Sequence, residues 1–234
     1  MLGSDVIALI RNRRSIREFV ERPVAKELIE LIVECGLAAP SSKNSNPWFI
    51  VTASGDDKNR IVGWLEEASN TPVGVTERAP IDPMTGVTKE GVSDTVEESI
   101  STMRQCDTLL LLFNRGPFSR GAETIATLIE KGGQRSIIGK ALYGYAGEIL
   151  GIGAAAENML LAARALGLGG VYIADSYPAR QSIKASLGTS KELVGVIALG
   201  YPAYDAPPRE LRRTLTASWQ DAVGAIDKSL SELD

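Results

Sequence analysis

The amino-acid sequence predicts one large domain of mixed helices and strands. Apolar residues recur at helical spacing in several segments, and short, continuous apolar runs typical of buried strands separate these segments. Of the 234 residues, 44% are hydrophobic and 23% are charged, which is typical of a soluble globular protein. This length suits one large domain, so we expect a single domain over residues 1–234 with a variable or inserted region at about 70–140.

Two helices and a strand are predicted in the N-terminal quarter. Ser4 is placed to cap a first helix whose apolar positions, among them Leu9, follow helical spacing. A second helix is expected from about 25 to 35, and Gly36 is suited to ending it. A turn-rich stretch with two prolines and several short polar side chains follows, and it leads into an apolar strand at 49–53.

The middle of the chain carries the weakest signals. Helices are predicted around 61–68 and 96–103, and the fully apolar run 108–113 is suited to the centre of a sheet. Residues 70–93 lose periodicity and contain several prolines and glycines, so this long loop is predicted to be functional or partly mobile. The stretch 115–140 is a second variable segment, with one short helix.

A long apolar helix is predicted from Leu142 to Leu166, and Gly167 is placed to end it. It is apolar on nearly all faces, which indicates a buried helix, here in a homodimer interface. Charged residues within it, such as Glu148 and Arg164, are too costly for a membrane span. C-terminal to it, two more strands are expected at 171–174 and 193–199. Two more helices are expected at 177–187 and 219–230.

Residue types that are missing limit the possible chemistry. The chain has no histidine, which excludes Ser-His and Cys-His nucleophilic triads and histidine-bound zinc or haem. Any catalysis would use carboxylates, tyrosines, lysines, backbone amides or a bound cofactor, and this composition favours an enzyme that relies on a cofactor. The cysteines show no metal-ligand spacing. Cys35 and Cys106 are interpreted as buried thiols in a reducing compartment. Because the N-terminus shows no secretory signal, we expect a cytoplasmic protein.

Two glycine patterns are interpreted as structural. Residues 151–156 satisfy the G-x-G-x-x-A dinucleotide-binding pattern, but they fall inside a helical segment with no strand before them. We therefore interpret these small residues as points where another backbone approaches closely. Residues 167–170 end a helix and begin a strand. P-loop and C-x-x-C patterns are missing from the sequence, and a pI of about 5.1 argues against nucleic acid as a partner.

The segment 13–17 concentrates positive charge in a protein whose net charge is −4. Three arginines and Ser15 fall within five residues, and guanidinium groups bind phosphate oxygens bidentately. The cluster indicates a small anionic ligand, because a footprint for nucleic acid would be larger. In the alternative interpretation, Arg13 and Arg14 close the first helix and complement its dipole.

Four motifs occur together in the order that is typical of one family. They are Arg-Arg-Ser-x-Arg-x-Phe, Ala-Ala-Pro-Ser-Ser-x-Asn-x-x-Pro-Trp, Gly-Leu-Gly-Gly after the long helix, and Leu-Gly-Tyr-Pro before a basic tail. In combination they resemble the nitroreductase family of FMN-dependent oxidoreductases. The resemblance covers roughly residues 4–51 and 142–215, and the segment 70–140 carries no signature of the family.

This resemblance implies an α+β fold with a mostly antiparallel central sheet flanked by helices, assembled as a homodimer. It implies that FMN lies at the dimer interface and carries the chemistry, so that no side chain is catalytic. NADH or NADPH would give hydride to flavin N5, and a nitroaromatic, quinone or similar small-molecule acceptor would then be reduced in a ping-pong mechanism. Two alternatives stay open: a specialised flavin-dependent dehydrogenase or dehalogenase of one metabolite, and a flavin-binding module without turnover.

By matching positions, the resemblance assigns FMN contacts to four parts of the chain. The phosphate, the ribityl chain and the ring edge would be held by Arg13, Arg14, Ser15 and Arg17, with Arg17 near N1 and O2. The second subunit would contribute Pro40, Ser41, Ser42 and Asn44. The turn at Ala174 and Asp175 would offer backbone N–H groups to flavin N5. In the tail, Arg212 best fits the family spacing for a phosphate contact, with Arg209 and Arg213 as alternatives.

Overall fold

The structure is a computed structural model that describes residues 3–70 and 95–207. Most of the predicted 70–93 loop and the predicted helix at 219–230 lie outside the described residues. The tail arginines Arg209, Arg212 and Arg213 also lie outside them. Within the described part of the chain, seven α-helices and five β-strands are present.

The elements are numbered in chain order. The helices are α1 at Gly3–Asn12, α2 at Lys26–Leu37, α3 at Gly55–Ser69, α4 at Val96–Gln105, α5 at Ala122–Glu130, α6 at Arg135–Ala165 and α7 at Arg180–Ser186. Single turns of 3-10 helix lie at Ser42–Asn44 and Tyr177–Ala179. The strands are β1 at Phe19–Val20, β2 at Trp48–Ser54, β3 at Thr108–Asn114, β4 at Gly169–Ile173 and β5 at Glu192–Pro202.

The five strands form one sheet in which every strand pair is antiparallel. β5 lies at its centre, with β3 along one side and β4 along the other, and β1 pairs with the last two residues of β5. β2 pairs with β3, from Trp48 opposite Asn114 to Ser54 opposite Thr108. The predicted α+β fold with a mostly antiparallel sheet is therefore confirmed.

Helices cover both faces of the sheet, and β3 shows why. All of its residues are buried, and its side chains alternate between two hydrophobic clusters. Leu109, Leu111 and Phe113 pack in a cluster with residues of α3, α4 and α7. Leu110 and Leu112 pack in a second cluster with residues of α2 and α6. An uninterrupted apolar run predicts a central strand, and here each face of that strand meets a hydrophobic layer.

Several predicted boundaries are wrong by a few residues. Ser4 lies inside α1 instead of capping it. α6 begins at Arg135, seven residues before the predicted Leu142, because a glycine and three polar residues in this stretch obscure the apolar spacing. The strand predicted at 193–199 extends to Pro202, where it pairs with β1. β1 itself was not predicted, because two residues are too few to produce a periodic pattern.

In one protomer, α6 buries one face and exposes the other. Ile152 and Met159 are buried, whereas Tyr143 is 86% exposed and Leu150 is 75% exposed. The helix is therefore less buried than its composition predicts. A homodimer interface would account for the difference, and that interface stays a prediction.

The two cysteines differ in burial. Cys106 is buried as expected, and its burial raises the pKa of the thiol to about 12. Cys35 is only partly buried, so the prediction of two buried thiols is wrong for this residue.

Among the described residues, no helix has the length and apolar character needed to cross a membrane.

The arginine segment follows α1 and lies against the start of β4. The Ile16 N–H donates to the Gly170 carbonyl at 3.1 Å, and Ser15 forms an isolated parallel bridge with Gly170. The Ile16 side chain is buried directly over Gly169, where a Cβ atom would lie 2.8 Å from Ile16 Cβ. A side chain at position 169 would therefore collide with a buried neighbour. The 167–170 pattern ends a helix and begins a strand, as predicted, and it also positions the arginines.

Glu148 of α6 is a buried carboxylate that holds the loop after β3. It is 1% exposed, and it accepts hydrogen bonds from Asn114 Nδ2 at 2.9 Å and from Ser119 Oγ. The backbone N–H groups of Phe118 and Ser119 donate to its other oxygen at 2.7 and 2.9 Å. Burial by itself raises the pKa of Glu148, but these hydrogen bonds outweigh it and hold the pKa below its ordinary value.

Replacing Gly169 with alanine tests the contact under the arginine segment. We expect Gly169→Ala to lower the free energy of unfolding by about 1–3 kcal/mol, because Ile16 must move out of its buried position. The measurement is urea unfolding followed by circular dichroism. Gly63→Ala is the matched control: Gly63 lies inside α3 with open space around its Cβ position, so this variant should be more stable by about 0.5–1 kcal/mol. Equal effects of the two changes would show that the Ile16 contact is unimportant.

Replacing Glu148 with glutamine tests the buried network. In Glu148→Gln, an amide N–H group replaces a carboxylate oxygen and faces hydrogen-bond donors that then have no acceptor. We therefore expect the free energy of unfolding at pH 7 to fall by about 1.5–3 kcal/mol. Because the folded-state pKa lies below the ordinary value of 4.5, the ionised carboxylate contributes its stability above pH 4.5. That stability is lost as the pH falls through the folded-state pKa, so the difference between wild type and variant should shrink below pH 4.5. The exposed control Glu130→Gln should change little at any pH, and a pH-independent difference for Glu148→Gln would contradict this account.

Candidate functional site

Arg13 follows α1 and forms an ion pair with α6. Its Nε atom lies 2.9 Å from Glu157 Oε1, and the two side chains are 23% and 44% exposed. A partly exposed ion pair contributes about 1 kcal/mol or less to stability. If a bound phosphate replaced Glu157 as the partner of Arg13, the loss of free energy would therefore be small. This is compatible with a phosphate-binding role for Arg13.

Arg14 is held by backbone carbonyl groups. Its Nε atom donates to the Pro207 carbonyl at 2.8 Å, and Nη1 donates to the carbonyls of Arg11 and Arg13 at 3.0 and 2.6 Å. Of the last two acceptors, Arg11 lies in the last turn of α1 and Arg13 directly follows the helix. Arg14 therefore closes this helix, as the alternative interpretation of the sequence proposes. The Arg13 backbone N–H also donates to the Leu9 carbonyl of α1 at 3.0 Å, whereas the Arg13 side chain pairs with Glu157. The bond to Pro207 also places the beginning of the basic tail beside the arginine segment.

A third arginine joins the first two in a narrow crevice. Arg164, near the end of α6, lines the crevice together with Arg13, Arg14 and the two glycines that begin β4. The free volume of the crevice is only about 10 Å³, so it can hold the end of an anionic group but not a ring. Because arginine side chains bind phosphate oxygens, a crevice lined by three arginines is a candidate phosphate site. We refer to it below as the arginine crevice.

Arg17 and Asp175 both contact the beginning of α4. Arg17 Nε lies 3.3 Å from Glu98 Oε1, and Asp175 Oδ2 accepts a hydrogen bond from Ser99 Oγ at 2.8 Å. Ala174, which precedes Asp175, is exposed directly after β4. The structure thus brings Arg17 and the 174–175 turn, two predicted parts of the site, to the same end of one helix.

Pro40, Ser41, Ser42 and Asn44 lie in a tight loop on the surface of α6. The Asn46 N–H donates to Ser41 Oγ at 3.0 Å and closes the loop. Lys43 and Asn44 both have a φ of 53°, in the left-handed region. Asparagine adopts this conformation readily, but for lysine it is uncommon, and such strained residues often occur at functional sites.

Glycines of α6 allow this loop to approach the helix closely. A Cβ atom at Gly151 would lie 3.2 Å from Pro47 Cγ and 3.4 Å from Ser41 Cβ, and one at Gly147 would lie 3.5 Å from Ser42 Cβ. Gly151 belongs to the 151–156 pattern that resembles a dinucleotide-binding motif. Its structural interpretation is confirmed, because the small residue serves as a contact point for another segment of the chain.

An open groove of about 600 Å³ lies between this loop and α6. Residues 40–43 form one wall, Phe118 forms another, and the floor is the stretch of α6 from Lys140 to Ala154 that faces the loop. We refer to it as the α6 groove. Its volume is sufficient for an aromatic molecule.

Within one protomer, the two sets of predicted residues do not meet. The arginine crevice and the α6 groove share no lining residue: the crevice lies at the C-terminal part of α6 and the groove along its N-terminal half. The resemblance to the nitroreductase family implies that Pro40, Ser41, Ser42 and Asn44 act from the second subunit, and this separation is compatible with that expectation. Binding of one ligand across a subunit interface stays a prediction.

Five charged or aromatic residues that line these two sites were not predicted as site residues. Arg164 lines the crevice, and Lys43, Phe118, Lys140 and Tyr143 line the groove. Lys43 occupies a variable position of the loop motif, and Phe118 and Lys140 fall in the segment without a family signature. No periodic or local pattern links them, because their proximity arises only when the loop and the segment around residue 118 pack on α6.

Comparison with known proteins supports one family. The model of the nitroreductase family matches residues 10–201. A 4-nitrobenzoate reductase of Pseudomonas putida is 33% identical over 72 residues, which cover 31% of this chain and 32% of that protein. A nitrobenzene nitroreductase of Ectopseudomonas oleovorans is 36% identical over 76 residues, covering 32% of this chain and 34% of that protein. These alignments therefore span about a third of the length of either relative.

Solved structures agree over nearly the whole chain. A nitroreductase of Desulfovibrio desulfuricans, crystallised with FMN, superposes with a TM-score of 0.59 at 24% identity, covering 91% of this chain and 95% of the other. The NADPH:FMN oxidoreductase of Vibrio harveyi, crystallised with NAD+, gives a TM-score of 0.60 at 20% identity and covers 97% and 85% of the two chains. At this level of identity the superpositions establish the fold. Because the family model extends over most of the sequence and the antiparallel sheet with its flanking helices agrees with these structures, this protein belongs to the nitroreductase family.

Proposed function

We propose that this protein is an FMN-dependent oxidoreductase that uses NADH or NADPH to reduce a small aromatic or quinonoid acceptor. The observation that carries the proposal is the arginine crevice, which lies on the fold of this family and is lined by three arginines, Arg13, Arg14 and Arg164. The names of its relatives support the same chemistry. The Desulfovibrio protein was crystallised with FMN, and the Vibrio protein is an NADPH:FMN oxidoreductase.

The residues of the crevice suit the phosphate of FMN. Arg13 has one partly exposed carboxylate partner that a phosphate can replace, and the Ser15 side chain is exposed beside it. The crevice is too small for a flavin ring, so the ring would lie outside it. Arg212, or its alternatives Arg209 and Arg213, would add a further cation from the tail.

FMN, when bound, supplies the hydride-accepting chemistry, which suits a chain without histidine. The protein supplies orientation and charge. Arg17 would place a cation at the ring edge, where negative charge develops on reduction. The backbone N–H groups of Ala174 and Asp175 would orient the ring from the end of β4. The nicotinamide and the acceptor would occupy the same space in turn, as a ping-pong mechanism requires.

We further propose that the active form is a homodimer. Each flavin would contact the arginine segment of one subunit and the 40–44 loop of its partner, which explains why these two groups do not meet in one protomer. Exposed apolar side chains supply the surface for such an interface, for example Ile7 of α1 and Leu150 of α6, which are 59% and 75% exposed.

Purification and turnover test the proposed function. The purified protein should carry a yellow flavin chromophore that thin-layer chromatography identifies as FMN, and it should elute as a dimer in light-scattering chromatography. It should oxidise NADH or NADPH in steady state when menadione or a nitrofuran is added. A colourless protein that does not take up added FMN would rule out the proposal. Bound FMN without turnover of any acceptor would favour the flavin-binding module.

The double variant Arg13→Ala/Ser15→Ala tests the phosphate contact. One charged hydrogen bond contributes about 1.5–3 kcal/mol, so we expect the Kd for FMN to rise by roughly 10- to 150-fold. The measurement is a fluorescence titration of the apoprotein with FMN. Arg60→Ala, which removes an exposed cation of α3, is the control and should leave the Kd unchanged. An unchanged titration for the double variant would show that the cluster is purely structural.

A further inference from the structure

The α6 groove carries positive charge without a balancing carboxylate. Lys43 and Lys140 line it, and its lining contains no aspartate or glutamate. Neither lysine forms an ion pair with any residue in 3–70 or 95–207. Glu148 on the same helix is already saturated by hydrogen bonds to the loop after β3. In a protein of net charge −4, this groove therefore attracts anions locally.

The groove also presents two aromatic rings. Phe118 is 47% exposed and Tyr143 is 86% exposed, so both can stack on a flat ligand. The Lys43 Nζ atom lies 5.7 Å from the centroid of the Phe118 ring. A ligand ring that stacks on Phe118 would therefore have an ammonium group beside it.

The backbone around both features is fixed before any ligand binds. Glu148 accepts the Phe118 N–H at 2.7 Å, and a Cβ atom at Gly144 would lie 3.0 Å from Phe118 Cβ, so Phe118 is packed tightly on α6. Lys43 is held in the left-handed region by a loop that the Ser41 hydroxyl closes. A ligand then loses little free energy in ordering these groups.

We propose that the α6 groove is the acceptor subsite and that it selects aromatic acceptors carrying an anionic group, such as a carboxylate. The ring stacks on Phe118 and Tyr143, and the ammonium groups of Lys43 and Lys140 bind the carboxylate. This proposal rests on the proposed function, because the reducing equivalents come from NAD(P)H through bound FMN. For a nitro acceptor, the first step consumes NAD(P)H and one proton, converts the nitro group to a nitroso group, and releases NAD(P)+ and water.

The test compares two acceptors of nearly equal shape in the FMN-loaded protein. 4-Nitrobenzoate carries the anionic group and 4-nitrobenzamide is its neutral counterpart, so the ratio of their kcat/KM values reports recognition of charge. We expect Lys43→Met and Lys140→Met each to lower this ratio by roughly three- to fivefold, and the double variant to lower it by about tenfold or more. The wild-type ratio should also fall as salt is added, because these lysines are exposed to solvent.

Lys131→Met is the matched control, since Lys131 is an exposed lysine at the end of α5 outside the groove. For this variant, the ratio of kcat/KM for 4-nitrobenzoate to that for 4-nitrobenzamide should equal the wild-type ratio. A ratio that neither the double variant nor salt changes would overturn the proposal, while turnover of menadione would leave the proposed function intact. If the second subunit fills the groove and leaves no room for an acceptor, the double variant would change the monomer–dimer equilibrium and leave the ratio unchanged, which would also overturn the proposal. Absence of turnover with every acceptor would instead reject the proposed function and, with it, this subsite.

Discussion

The packing of separate chain segments on α6 is the constraint on which the candidate sites depend. Glu157 of this helix pairs with the arginine segment, and Arg164 lines the crevice beside it. Glu148 holds the loop that carries Phe118, and the glycines at 144, 147 and 151 leave room for that loop and for residues 40–47. A helix that supports all of these contacts at once cannot shift without moving both sites. Its dense packing against α2 and the sheet explains how it stays in place.

The carboxylates around α6 that lie near the candidate sites are of two kinds. Some accept hydrogen bonds at both oxygens, and the others form weak ion pairs that an anionic ligand can replace. Glu148 is buried and receives hydrogen bonds from neutral donors, so it does not attract the nearby lysines as a free charge would. Glu157 and Glu98 face their arginines at partly exposed positions, where an ion pair contributes little to stability. An acidic protein can therefore present two positively charged surfaces, the crevice and the groove, without losing much stability if a ligand binds there.

Local patterns predicted most of the fold. The apolar run of β3 and the helical spacing of α2 each correspond to an observed element, because burial on the two faces of a strand or on one face of a helix leaves a periodic signal. Predictions were wrong where that signal is short or masked. The start of α6 is rich in polar residues, and β1 is only two residues long. For the candidate site, the motifs identified the arginine segment and the 40–44 loop but not the groove between that loop and Phe118.

By itself, the sequence determined most of the helices, the central strands and the cluster of cations at 13–17, and it favoured chemistry carried by a cofactor. These properties are local or compositional, so they can be read from spacing and from the absence of histidine. Only the tertiary structure decided what each cation contacts: Arg13 meets a carboxylate 144 residues away, and Arg14 closes its own helix. It also decided that Lys43 and Lys140 line one groove. Such contacts depend on how distant segments pack, and no local pattern in a single chain encodes that packing.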